Sequence, residues 1–142
     1  MQRVRVLIVL TATAVGGACA GALESDEAKV LGTVEFHGDP AVIVVPDTAG
    51  VGIGVPVSVR TYGGGCERIG PTEISLEADT TFVEPYDYTK KGVALICTME
   101  LKLFNHTTTL SWPTAGRRVV AIRGVVEPSG EVRTYLRTVV VH

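Results

Sequence analysis

The chain is 142 residues long, with 46% hydrophobic residues, 20% charged residues and a formal net charge of −2. This globular composition suits one domain and excludes a large enzyme, a coiled coil and a disordered tail. A pI near 5.9 argues against a nucleic-acid partner, whose binders carry basic patches.

Residues 1–20, MQRVRVLIVLTATAVGGACA, read as a secretory address. Arg3 and Arg5 supply a positive start, and residues 6–15 form an apolar run of about ten. A membrane span needs roughly 20 apolar residues. Two processing routes are open. Ala18-Cys19-Ala20 offers a small-x-small cleavage site, with the exported chain starting near Gly21. Alternatively, Gly16-Gly17-Ala18-Cys19 resembles a bacterial lipobox, in which Cys19 becomes the lipidated first residue. Both routes lead out of the cytoplasm, to an anchored lipoprotein or a periplasmic or extracellular protein. Residues 21–28 hold Glu24, Asp26 and Glu27 and read as an acidic tether before a domain spanning 29–142. Of 13 basic and 15 acidic residues, only Arg3 and Arg5 fall in the address. The exported chain therefore carries 11 against 15, a net charge near −4.

Strands dominate the rest of the chain. Residues 30–36 are apolar-rich and stop at the turn His37-Gly38-Asp39-Pro40. Residues 41–45, AVIVV, lie between two prolines and suit an edge strand. Residues 47–54 form a glycine-rich loop. Val55, Val57, Val59 and Thr61 then alternate with Pro56, Ser58, Arg60 and Tyr62, which puts the first set on one buried face. Gly63-Gly64-Gly65 delivers Cys66; a phosphate-binding loop would need Lys and Ser or Thr directly after it. Further strands are expected at 72–78, 81–86 and 93–97. Residues 98–104 are expected to form a helical turn capped by Thr98. Thr108, Leu110 and Trp112 share a face. Residues 117–126 and 132–141 form the last hairpin around Glu127-Pro128-Ser129-Gly130. Val120 and Ile122 point inward, and Arg133 and Arg137 lie opposite Thr134, Leu136 and Val140.

Of the three cysteines, Cys19 belongs to the address. Cys66 and Cys97 remain, and in an oxidising compartment they are expected to form a disulfide. No CxxC spacing or neighbouring histidine favours a metal or a catalytic thiol.

The stretch LSWPTAGRRVVAIRGVVEPSG, from Leu110, resembles the last hairpins of bacterial immunoglobulin-like domains. VPVSVRTYGGGC, from Val55, and VEPYDY, from Val83, are similar to a group of uncharacterised bacterial secreted proteins and lipoproteins. These resemblances imply an exported compartment and a β-sandwich, and no activity. The expected fold is an all-β, immunoglobulin-like antiparallel sandwich of seven to eight strands.

Chemistry-bearing motifs are sparse. His37, His106 and His142 sit in a turn, at a strand start and at the C-terminus. A metal would require the fold to gather two of them with an acid such as Asp39; no metal and no cofactor are expected. No G-x-S-x-G elbow occurs. Glu84, Tyr86, Asp87 and Tyr88 are read as one loop, able to contact a sugar or peptide through flat, polar-tipped rings. The expected function is a non-enzymatic cell-envelope module with a structural or protein-interaction role. Its partners would be the membrane, through Cys19, and an envelope protein or glycan. The alternatives are a glycan or small-ligand module using the 84–91 loop, and a secreted enzyme or inhibitor.

Overall fold

Alternating apolar and polar residues commit this chain to strands almost throughout. A computed structural model describes residues 26–92 and 96–142, and no helix occurs among them. The address, with Cys19 and the start of the tether, lies outside the described residues. Ten strands run in order: β1 Glu27–Leu31, β2 Thr33–Phe36, β3 Ile43–Val44, β4 Thr48–Ala49, β5 Val55–Gly63, β6 Glu67–Glu77, β7 Thr80–Lys90, β8 Lys102–Leu110, β9 Gly116–Glu127 and β10 Glu131–Val141. All ten are joined in one curled sheet.

Two groups of strands make up this sheet. β6, β7, β9 and β10 lie side by side, with β7 antiparallel to β6 and parallel to β9. β8 pairs antiparallel with β5 along its whole length, and β2 and β3 also pair with β5. The N-terminal segment connects the two groups. β1 pairs with β7; beyond Gly32, β2 runs between β9 and β5. The crossing is tight. A Cβ at residue 32 would stand 2.5 Å from Thr61 Cγ2, 2.9 Å from Asp87 Oδ2 and 3.1 Å from the Pro85 carbonyl oxygen. Glycine at this position therefore lets the backbones approach.

The core is built largely from β-branched residues. Val34, Val57, Val59, Val83, Val120, Ile122, Val139 and Val141 pack with Ala49, Leu110 and Trp112. Stiff side chains of this kind fit a pleated, buried surface with little rotamer loss. Val57, Val59, Thr61, Val120 and Ile122 are buried as alternation selects, but Tyr62 and Ala121, on the opposite face, are buried as well. Cys66 and Cys97 are bonded to each other, with Cα atoms 5.1 Å apart and a separation of 31 residues.

Several expectations need correction. The sheet is mixed, not antiparallel: β2/β9, β4/β10 and β7/β9 are parallel pairs. β7 and β9 are parallel because the chain between them passes through β8, which pairs with β5 in the other group and not with β7. Glu27 and Ala28 belong to β1, not to the tether. No helical turn forms at 98–104: residues 96–101 are irregular and β8 takes up the rest. Continuous ladder bonds to β5 outweigh the single cap that Thr98 could supply. Ile96 and Cys97 are exposed rather than part of a buried strand, and 93–95 lie outside the described residues. In β10, Val139 and Val141 are buried while Leu136 and Val140 are exposed. The face that carries Arg133 and Arg137 is thus the one that turns into the core toward the strand's end.

Candidate functional site

The four residues expected to share a loop stand on β7 instead. A strand sends successive side chains to opposite faces. Glu84, Tyr86 and Tyr88 point outward, and Asp87 points inward with Val83 and Pro85. The structure therefore separates Asp87 from the other three.

On the outer face the tyrosine rings are covered by the protein's own cations. Lys29 on β1 lies over Tyr86, 4.5 Å from the ring centroid, and Arg68 on β6 lies over Tyr88 at 4.1 Å. Each cation is held by a carboxylate, Lys29 by Glu73 and Arg68 by Glu27. These hydrogen bonds raise both basic pKa values and lower that of Glu27. Glu84 accepts from Arg123 at 2.7 Å and from the Tyr86 hydroxyl at 3.2 Å. Burial, and then the Glu84 charge, push the Tyr86 phenol up. The result is a flat, ion-paired surface, without the free aromatic platform that sugar stacking uses.

The inward face holds a polar cluster drawn from four strands. Thr61 on β5, Asp87 on β7 and His106 on β8 are 0%, 3% and 2% exposed. The Thr61 hydroxyl donates to Asp87 Oδ2 at 2.7 Å. His106 Nε2 lies 3.1 Å from Asp87 Oδ1 and 3.1 Å from Thr61 Oγ1. Thr61 donates its only hydroxyl proton to Asp87, so Nε2 must carry the proton in this contact. Thr72 on β6 closes the cluster, with its hydroxyl 3.2 Å from His106 Nδ1. Every ring nitrogen and carboxylate oxygen is thereby matched inside an apolar shell.

A Thr–His–Asp set suggests nucleophilic chemistry, but its geometry here differs. The hydroxyl proton goes to the carboxylate, not to the imidazole that would act as base. All three side chains are sealed from solvent. His37 sits apart in its turn with its ring edge-on to Phe36, centroids 4.5 Å apart. Among the described residues, no three His, Cys, Asp or Glu side chains gather as a metal site.

His106, Thr61 and Thr72 were not singled out from the sequence as a cluster. Alternation did carry the signal. His106 is two and four residues before Thr108 and Leu110, on the face expected to be shared. Thr61 closes the inward run of β5. A polar residue at an inward position requires a partner, but spacing does not say which strand supplies it.

Among the described residues, hollows open at two places that bear on the site. One, of about 400 Å³, lies beside Phe36, Tyr62, Glu67, Met99, Leu101 and Glu127. The other, of about 290 Å³, runs between Ile74 and Leu76 of β6 and the segment Leu110 to Pro113 where β8 ends, over Trp112. Comparison with known proteins finds no matching family model, no matching curated protein and no matching solved structure. No helix among the described residues is long and apolar enough to cross a membrane.

Proposed function

We propose that this chain is an exported, non-enzymatic cell-envelope module whose work is protein interaction, on an immunoglobulin-like β-sandwich. The observation that carries this reading is the combination of a charge-paired outer face with a stretch of β6 that no ladder among the described residues pairs on its far side: past Thr72, which meets His106 of β8, a hollow lies between Ile74 and Leu76 and the end of β8. β6 is eleven residues long and, among the described residues, pairs only with β7. Its Ile74 and Leu76 are exposed beside the hollow over Trp112. An unpaired edge with apolar neighbours is a template for an added strand. The sandwich assignment draws on the two strand groups enclosing one core, and on a first strand that crosses from one group to the other at Gly32. The Cys66–Cys97 bond favours an oxidising compartment, as expected of an exported chain. The sealed Thr61–Asp87–His106 cluster leaves no reachable nucleophile there, which is why a non-enzymatic role is favoured over a secreted enzyme.

A photo-crosslinking side chain at Leu76, in the full chain expressed with its own address, tests the reading. A discrete crosslinked species in the envelope fraction is the expected result. Retention in the cytoplasm with free Cys66 and Cys97 would overturn export. Export without any crosslink from β6 would overturn the interaction role.

A further inference from the structure

The largest departure from ordinary surface chemistry lies at one end of the sheet. Ile96 and Met99 are 99% and 106% exposed, and Leu101 and Leu103, close by in the chain, are 54% and 52% exposed. Single exposed apolar residues are common, but four within eight positions form a patch that needs a partner. The segment is fixed in place rather than free. Cys97 is bonded to Cys66. Thr98 packs so closely on Gly65 that any Cβ at residue 65 would overlap its backbone and hydroxyl. Lys102 Nζ donates to the Gly65 carbonyl at 3.2 Å. The apolar side chains are therefore held outward by a pinned tip.

The N-terminal segment enters the fold at this same end. The Lys91 N–H donates to the Asp26 carbonyl at 2.6 Å, and Glu27 pairs in register with Lys90. Cys19 is seven residues before Asp26. Seven extended residues reach at most about 25 Å, so a lipid on Cys19 would hold this end, not the opposite one, against the bilayer.

We infer that the tip formed by Ile96, Met99 and Leu101 inserts into the interfacial layer of the membrane to which the N-terminus leads. This deepens the export reading above by naming the membrane surface as a second partner of the domain. Charge fits an apolar contact with lipid and not electrostatic adhesion. Around the tip Arg68, Lys90, Lys91 and Lys102 are matched by Asp26, Glu27, Glu67 and Glu100, with Glu27–Arg68 and Glu100–Lys102 ion-paired. Attachment by buried apolar area is insensitive to salt, whereas attachment by charge is screened.

The test uses the full chain carrying Met99→Trp, mixed with phosphatidylcholine vesicles. Trp112 is the only other tryptophan and is buried, so it sets the baseline. The new indole should shift to shorter wavelength and be quenched by brominated phosphatidylcholine several-fold more than Trp112 in the unaltered protein. The quenching should persist in high salt. Adding Ile96→Ser and Leu101→Ser, both at exposed positions, should weaken it. An indole that stays red-shifted and unquenched would overturn the proposal, as would a blue shift already present without lipid, which would place the tip against a second copy. Mass spectrometry of the exported N-terminus reports separately on Cys19. An acylated Cys19 with an unquenched tip refutes the tip alone; quenching in a chain that starts near Gly21 supports the tip and refutes the anchor.

Discussion

Removing the Asp87 carboxylate is the sharpest perturbation of the interior. Asp87→Ala deletes the acceptor of the Thr61 hydroxyl at 2.7 Å and of His106 Nε2 at 3.1 Å. Both donors are buried, Thr61 at 0% and His106 at 2% exposed. Each buried donor left unsatisfied costs about 1–3 kcal/mol, and two lose their acceptor, so the expected destabilisation is about 2–6 kcal/mol, centred near 4. For a domain of this size, melting should fall by roughly 10–15 °C. Thr61→Val is the graded control. It keeps the shape, removes one hydroxyl, and leaves His106 still bound to Asp87, so it should cost about 1–2 kcal/mol. Urea denaturation with an unchanged slope reads both values. If Asp87→Ala costs under about 1 kcal/mol, water reaches the cluster and its description as a sealed network fails.

Thr72→Val should raise amide exchange in β6 and β8 well before it lowers global stability, because it releases the hydroxyl that bridges these strands at His106 Nδ1; uniform protection would count against this. Gly32→Ala should destabilise by about 1–3 kcal/mol through crowding against Thr61 and Asp87, and a neutral result in thermal melts would show that the crossing relaxes freely. Removing the Cys66–Cys97 bond by a double alanine substitution should cost about 3–4 kcal/mol from loop entropy, read as a lower urea midpoint. The Tyr135 phenol is pushed up to about 12 by burial and then by its hydrogen bond to Glu35. Its folded pKa lies above the unfolded value near 10, so its contribution is complete below about pH 10 and lost as pH rises toward 12. That contribution is at most about 2–3 kcal/mol before solvent screening. Urea midpoints of Tyr135→Phe should depend less on pH across this window, and an unchanged slope would refute the assignment.

Much of the fold could be read directly from residue order. Alternation in β5 and β9 identified Val57, Val59, Val120 and Ile122 as inward, and Pro128-Ser129-Gly130 marked the last hairpin. Cysteine counting found the disulfide. Alternation failed where a strand's burial changes along its length. On β10, Arg133 and Arg137 occupy the face that Val139 and Val141 later bury, so the apolar residues Leu136 and Val140 pointed to the wrong side. The Tyr86–Tyr88 segment failed for a different reason. Two acids, two tyrosines and a proline look like a loop locally, yet β1 and β6 flank β7 and turn those residues into a strand. Long-range pairing of this kind overrides local composition. The polar cluster fell between these cases, since each member sat on a readable face and only the tertiary fold joined them.

The placement of that cluster answers a problem set by the core itself. A wall of valines packs well but distinguishes poorly between registers, since one valine replaces another after a slip of two residues. β6 and β8 meet without backbone pairing, so no ladder fixes one against the other. Thr72 and His106 make the contact there, while Thr61 and Asp87 bind the same imidazole from β5 and β7. One ring thus ties four strands, and a two-residue slip of any of them would bury an unmatched polar atom. The cost of that mismatch, not the strength of the hydrogen bonds, is what selects the observed register. It also explains why the cluster lies at the seam between β6 and β8, where the sheet has no ladder to hold its two groups of strands together.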